Sequence, residues 1–232
     1  MCSYFFAFVF GVFVPALASR YPKFFASDWG EWLFFIWHKP HFPKIKDQKK
    51  TDLLKRKWKK MFLFSIGWGV FLMLSFIFID AYLPERTHFW VKVFMCFMAL
   101  LTATDQQYFL LPDIFTVPLI FFGFGYAIWG KIIPVEYSFF GACYGYFLPA
   151  LAVFISSYFL RNAFGGGDVK MLAGLGAWVG VIPLCVLLLL SVVSFFITFL
   201  ITSKRVGAYG PHLALAGIIV LFLTIWGVVP FL

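Results

Sequence analysis

One apolar run after another, each long enough or nearly long enough to cross a lipid bilayer, limits what this chain can become. After a first run at Tyr4–Ala18 come Met61–Ile79, Phe89–Thr104, Ile114–Trp129 and Ser138–Leu160, parted by turns such as Pro84-Glu85-Arg86 and Lys131 to Glu136. At roughly 1.5 Å per residue, such runs span a hydrocarbon core of about 30 Å. Hydrophobic residues fill 62% of the 232 positions and charged residues only 12%. Soluble domains use about 45–50% apolar residues, so the excess must meet lipid. The sequence predicts an all-α, polytopic transmembrane helix bundle.

Charge sets the expected topology. Twelve Lys and Arg against four Asp and Glu lie between Arg20 and Lys60, so this segment holds +8 of the formal +9. A basic run also suits nucleic acid, but membrane proteins retain Lys and Arg on the cytoplasmic side. Residues 20–60 are therefore read as a basic cytoplasmic loop between helices one and two, and no nucleic-acid partner is expected. No Lys or Arg precedes Tyr4–Ala18, as a secretory signal would require, so this run reads as a retained first helix with its N-terminus outside. Helix two then exits and helix three returns, which brings Asp105–Asp113 to the cytoplasmic face; helices four and five bring Arg161–Asp168 there too. Lys204 and Arg205 join them only if Val169–Thr202 makes two crossings, with a turn near Gly180-Val181-Ile182-Pro183. A last helix, His212–Val229, makes about eight, with the C-terminus outside. Residues 1–232 read as a single membrane domain without internal repeats.

Acids are scarce enough to take singly. Asp28, Glu31, Asp47 and Asp52 belong to the basic loop; Asp80, Glu85 and Glu136 read as solvated caps at external helix ends. Asp105, Asp113 and Asp168 remain, and acids at membrane depth are costly and usually mark function. Asp168 closes Gly165-Gly166-Gly167-Asp168, where glycines permit positive φ and close approach of a substrate backbone; an ordinary glycine loop with Asp as N-cap is the alternative. Asp113, after Pro112 and before an apolar run, reads as the N-cap of helix four. Asp105 follows a helix end, where the helix dipole disfavours it. Two carboxylates at one site resist being ionised together, so one can serve as base toward water while its protonated partner supports a carbonyl oxygen. Proton or cation transport is the competing chemistry, and it favours acids near the bilayer midplane in broken helices. A purely structural membrane subunit is a third reading. Lys170 either tunes the acids or binds substrate, with snorkelling to the interface as an equal alternative. The histidines lack metal-ligand spacing, and Cys2, Cys96, Cys143 and Cys185 form no CxxC pair, so no metal site is expected.

Gly165-Gly166-Gly167-Asp168-Val169-Lys170 followed by Leu172-Ala173-Gly174-Leu175-Gly176-Ala177-Trp178 closely resembles the GxGD segment of bacterial type IV prepilin peptidases. Asp105 with Leu111-Pro112-Asp113 resembles that family's other aspartate motif, and Tyr209-Gly210-Pro211-His212-Leu213-Ala214 its FGPxLA segment. The resemblance covers about Leu101–Leu215, roughly half the chain. It implies an aspartic endopeptidase of the bacterial inner membrane that cuts the basic leader from prepilins or pseudopilins at the cytoplasmic face. Asp105 and Asp168 correspond to the catalytic pair, with Gly165, Gly166, Gly167, Lys170 and Asp113 in support. Proteolysis of this kind needs no cofactor.

Many bacterial members also methylate the new N-terminus with S-adenosylmethionine, and their first cytoplasmic loop commonly carries two zinc-binding CxxC pairs. The corresponding loop here has no cysteine. Arg20-Tyr21-Pro22 is similar to the family's R-x-P, but Phe13–Ala18 departs from its GSFLN-like run. Zinc is therefore not predicted, and S-adenosylmethionine is expected only where methyl transfer accompanies cleavage. The basic loop is expected to meet anionic lipid at about 1 kcal/mol per nearby Lys or Arg.

Overall fold

A computed structural model describes residues 2–24, 48–159, 166–202 and 207–230. They form α1 (Cys2–Phe24), α2 (Gln48–Tyr82), α3 (Glu85–Tyr108), α4 (Asp113–Ile128), α5 (Val135–Phe159), α6 (Gly166–Val179), α7 (Val181–Thr202) and α8 (Gly210–Ile225). The all-α class and the expected order of eight helices hold, and the described residues contain no strand. Leu63–Tyr82 within α2, α3 and α7 are long and apolar enough to cross a membrane; Ser3–Pro15, α4 and α8 are shorter apolar helices. Residues 20–24 close α1 and residues 48–60 open α2, so the basic loop is shorter than expected. Its central part, 25–47, lies outside the described residues, as do Gly165 and the Lys204–Arg205 pair.

The described chain divides into two compact units, Met1–Leu74 and Ser75–Leu232. In the first, α1 and the N-terminal part of α2 meet at two glycines. A Cβ on Gly11 would lie 2.6 Å from the Gly69 Cα, and one on Gly69 would lie 2.9 Å from the Phe8 carbonyl oxygen. Lipid offers helices no hydrophobic drive to associate, so close backbone approach at small residues supplies the contact.

The second unit is organised around α6, the glycine-rich helix that sequence alone marks as barely long enough to span. Residues 171–180 are all buried, and α6 packs against α4, α5, α7 and α8. Gly141 and Gly145, four residues apart on α5, make this possible: a Cβ at Gly141 would strike the Gly176 carbonyl oxygen, and one at Gly145 that of Leu172. Trp178 fills the space beyond. Its indole N–H donates to the Leu119 carbonyl at 2.9 Å, and its ring lies 5.0 Å from those of both Phe94 and Tyr126. The Ala177 carbonyl, near the end of α6 where helical partners run out, accepts from the Ser138 hydroxyl at 2.6 Å.

The break between α6 and α7 falls where expected. Gly180 takes φ 86°, a left-handed conformation that closes α6, and its N–H returns to the Gly176 carbonyl. Pro183 sits in the first turn of α7, where a missing N–H costs nothing. In contrast, α3 runs a turn past its expected bounds at each end. Asp105 is therefore inside the last turn rather than after it. At the opposite end of α3, Asp80 is no solvated cap: its carboxylate lies 2.6 Å from Lys92 Nζ and 3.0 Å from His88 Nδ1. Glu85 and Glu136 are exposed in the first turns of α3 and α5, as a solvated role requires.

Candidate active site

Asp105 is one of the few buried charged side chains, 5% exposed. The last turn of α3 carries it, closed by Phe109 in the left-handed region (φ 54°) with its N–H on the Asp105 carbonyl at 2.8 Å. The carboxylate faces the unfavourable dipole expected of its own helix end, and a second helix offsets it. Its Oδ2 accepts the Gly210 N–H at 2.7 Å, and Gly210 is the first residue of α8, where unsatisfied N–H groups and the positive helix pole gather. The neighbouring helix therefore compensates what its own helix opposes. Only glycine allows this approach, because a Cβ at position 210 would lie 2.7 Å from that same oxygen.

Asp168 stands in the first turn of α6, partly exposed. The helix begins at Gly166, so Asp168 lies within it instead of capping it. Neither Gly166 nor Gly167 before it has positive φ, and Gly167 serves close packing. A Cβ on Gly167 would lie 2.8 Å from Leu111 Cβ and 2.9 Å from its carbonyl oxygen, so the turn after α3 rests on the start of α6. Gly166 faces open space. Lys170, one of the two supporting polar residues, donates to both Asp113 carboxylate oxygens at 2.6–2.7 Å. Asp113 thus ties α4 to α6. It is not the N-cap expected of it, since Pro112 holds that position and no side chain caps the helix.

Tyr209 and Gly210 stand where α8 begins, and Gly210 contacts Asp105. While the Gly210 N–H holds Asp105, the Tyr209 phenol lies within electrostatic reach of Asp168 and shares a 2.7 Å hydrogen bond with the Ser191 hydroxyl. Burial pushes that phenol above the usual tyrosine pKa; the Ser191 contact pulls it back and the Asp168 charge raises it. Asp105 is thus in contact with this residue pair, and Asp168 acts on it through its charge. Ser194 shares a 2.8 Å hydrogen bond with His212 Nδ1, and the Phe195 ring stands edge-on to Tyr209 and His212. Ser191 and Ser194 went unmarked in the sequence, although Ser191, Ser194, Thr198 and Thr202 follow one another at helical spacing along an otherwise apolar helix. That spacing marks one face of α7, buried at Ser191, half-buried at Ser194 and exposed at Thr198 and Thr202. Among the described residues no group of three His, Cys, Asp or Glu side chains could hold a metal ion.

Residues 92–203 match the model of the type IV leader peptidase family. The match spans just under half of the chain. The chain is also similar to curated proteins named prepilin leader peptidase/N-methyltransferase. The chain is 31% identical over 134 residues to the protein of that name from Neisseria gonorrhoeae, covering 55% of this chain and 46% of the relative. It is 31% identical over 159 residues to the one from Pectobacterium carotovorum subsp. carotovorum, covering 64% and 57%. Identity reaches 37% over 137 residues with the one from Aeromonas salmonicida, covering 55% and 45%. The chain spans about half the length of the curated relatives it matches. No solved structure matches it. The leader peptidase segment contains Asp105, Asp113, Asp168, Lys170 and Ser191, while the Tyr209–Gly210 pair lies just beyond it.

Proposed function

We propose that this chain is an aspartic endopeptidase that removes the basic leader from prepilin or pseudopilin substrates at the cytoplasmic face of the bacterial inner membrane. Asp105 and Asp168 are its catalytic pair. The observation that carries the reading is Asp105, a buried carboxylate held by the Gly210 N–H at the start of α8, with Asp168 within electrostatic reach of the adjoining Tyr209 phenol. Lys170, Asp113, Gly166 and Gly167 support the start of α6, and Gly165 precedes them.

The chemistry follows from two acids that share one proton. The ionised carboxylate takes a proton from water as its oxygen attacks the peptide carbonyl carbon, and the protonated one donates a hydrogen bond to the developing oxyanion. As the tetrahedral intermediate collapses, the C–N bond breaks and the amine leaves with a proton passed from the pair. No side chain is modified along the way. Asp105 is buried and Asp168 partly open, so water and the scissile bond enter from the Asp168 side. The basic segment 20–60 keeps this end on the cytoplasmic side, with both termini outside, and attracts anionic lipid.

Reconstitution with a prepilin tests the reading. Asp105→Asn and Asp168→Asn are each expected to lower cleavage by about 10²–10⁴-fold, the usual weight of a general acid or base. Undiminished cleavage in either removes that residue from the mechanism. The relatives' names also carry an N-methyltransferase, whose methyl donor would be S-adenosylmethionine. Mass spectrometry of the product N-terminus reads the cut position and any added methyl group together.

A further inference from the structure

Thr116 carries a buried hydroxyl without a hydrogen-bond partner among the described residues. Its own helix does not supply one. Thr87, Thr104, Thr198, Thr202 and Thr224 each donate to a carbonyl of the preceding turn. The corresponding carbonyl for Thr116 is that of Pro112, which already accepts the Phe115 and Thr116 N–H groups at 3.0 and 3.1 Å. Buried polar groups are nearly always paired, with protein or with ordered water, so an exception calls for a physical reason. The Tyr126 phenol is in the same state, but it stands near the far end of α4.

Position supplies the reason for Thr116. Asp105 is the fourth residue before Phe109, which closes α3, and Thr116 is the fourth after Pro112, which precedes α4. Both therefore stand about 6 Å in from the turn, at one depth on two helices that pack together. Both are buried, 5% and 0% exposed. Thr116 also shares a helix face with Leu119 and Gly123, and these meet α6. A Cβ on Gly174 would lie 2.7 Å from Leu119 Cδ2, and one on Gly123 would lie 2.6 Å from Ala177 Cβ. The first turn of α6 carries Asp168.

The Asp105 carboxylate has room for what Thr116 offers. Among the described residues it accepts one hydrogen bond, from the Gly210 N–H, whereas an ionised carboxylate has about four acceptor sites. A single bond leaves the group free to swing about it; a second fixes its plane. Asp113, nearer to Thr116 along the chain, is taken by Lys170. Thr116 and Asp105 are not bonded to each other, and one water is the bridge that reaches both. Resting on the proposed peptidase reading, we infer that Thr116 is a positioning residue of the acid pair: its hydroxyl donates to a buried water, which donates in turn to Asp105 and holds that carboxylate in its reacting orientation.

The test uses the full chain in proteoliposomes with a prepilin. Thr116→Val keeps the branched shape and removes the hydroxyl. It is expected to lower kcat by about 10–10²-fold with KM within about twofold of wild type, the scale of a displaced reacting group. Thr116→Ser returns the hydroxyl and is expected to restore kcat to within about threefold. Full kcat in Thr116→Val overturns the assignment, because the hydroxyl then has no part in the site. Equal loss in both variants overturns it as a packing effect, and a change confined to KM overturns it as a substrate contact. A second readout needs no turnover. The infrared band of the Asp105 carboxyl group, identified by its loss in Asp105→Asn, is expected to move in Thr116→Val and to return in Thr116→Ser; an unmoved band overturns the link. If wild type cuts no prepilin while the band moves, the peptidase reading falls and the link stands. If wild type cuts it and neither kcat nor the band responds, the link falls and the reading stands.

Discussion

Asp80 and Asp105 lie near opposite ends of α3, and the protein treats their charges differently. Asp80 meets two nitrogen bases, Lys92 at 2.6 Å and His88 at 3.0 Å, and Lys92 also lies over the Phe76 ring. Asp105 is more deeply buried and is met by a backbone N–H and the pole of a helix. A carboxylate beside a fixed cation is held in one charge state and serves as a tie between segments. One held by a backbone N–H is fixed in place with no cation bound to it, as the proposed acid pair requires. The pairing of an acid thus says more about its role than its depth does.

Substituting one acid at each end is the strongest way to break this comparison. Asp105→Asn keeps an oxygen that accepts the Gly210 N–H, so the fold is expected to survive while cleavage falls by about 10²–10⁴-fold. Asp80→Asn is expected to do the opposite. It leaves the half-buried Lys92 ammonium without its carboxylate and costs about 1–3 kcal/mol of stability, with cleavage per folded molecule unchanged. Thermal unfolding in detergent alongside a peptide assay reads both. Equal loss of activity in the two variants would erase the distinction.

Gly210→Ala sharpens the same point without touching a charge. The new Cβ would fall 2.7 Å from Asp105 Oδ2, so either the carboxylate or the start of α8 must shift. A displacement on the order of 1 Å at a reacting group costs about 10²-fold in rate. The loss is expected in kcat, with KM little altered, because the change moves an acid. A rise in KM alone would place the effect in substrate recognition.

Much of this arrangement is legible from residue patterns, and the exceptions share a cause. Apolar length and the Gly180–Pro183 break expose the helices, since both are local properties of the chain. The end of α3 is not legible: Phe109 takes the left-handed closing position that glycine usually holds, so nothing marks Asp105 as helical. Asp113 has the setting of an N-cap, but a lysine 57 residues away claims its carboxylate. Asp80 likewise waits on Lys92, across the turn between α2 and α3. The dipole argument for Asp105 stands, but the helix that offsets it, α8, is distant in sequence and so unseen. Partners supplied from another helix are what a linear pattern leaves out.

Tyr209 offers the smallest test, one that depends on pH. Burial, offset by Ser191 and reinforced by Asp168, raises its phenol above the unfolded value of about 10. A raised folded pKa means the fold prefers the protonated phenol, so the contribution to stability is complete below about pH 10 and is lost as pH climbs toward the folded value. Other tyrosines share the alkaline range, which makes the difference between two proteins the useful quantity. Tyr209→Phe removes this proton and the Ser191 hydrogen bond together. It is expected to be less stable than wild type by about 0.5–1.5 kcal/mol at neutral pH, with the gap narrowing above pH 10 as wild type loses its phenol proton on unfolding. A gap that stays constant through alkaline pH would mean that the phenol does not sense its surroundings, and would detach Tyr209 from Asp168.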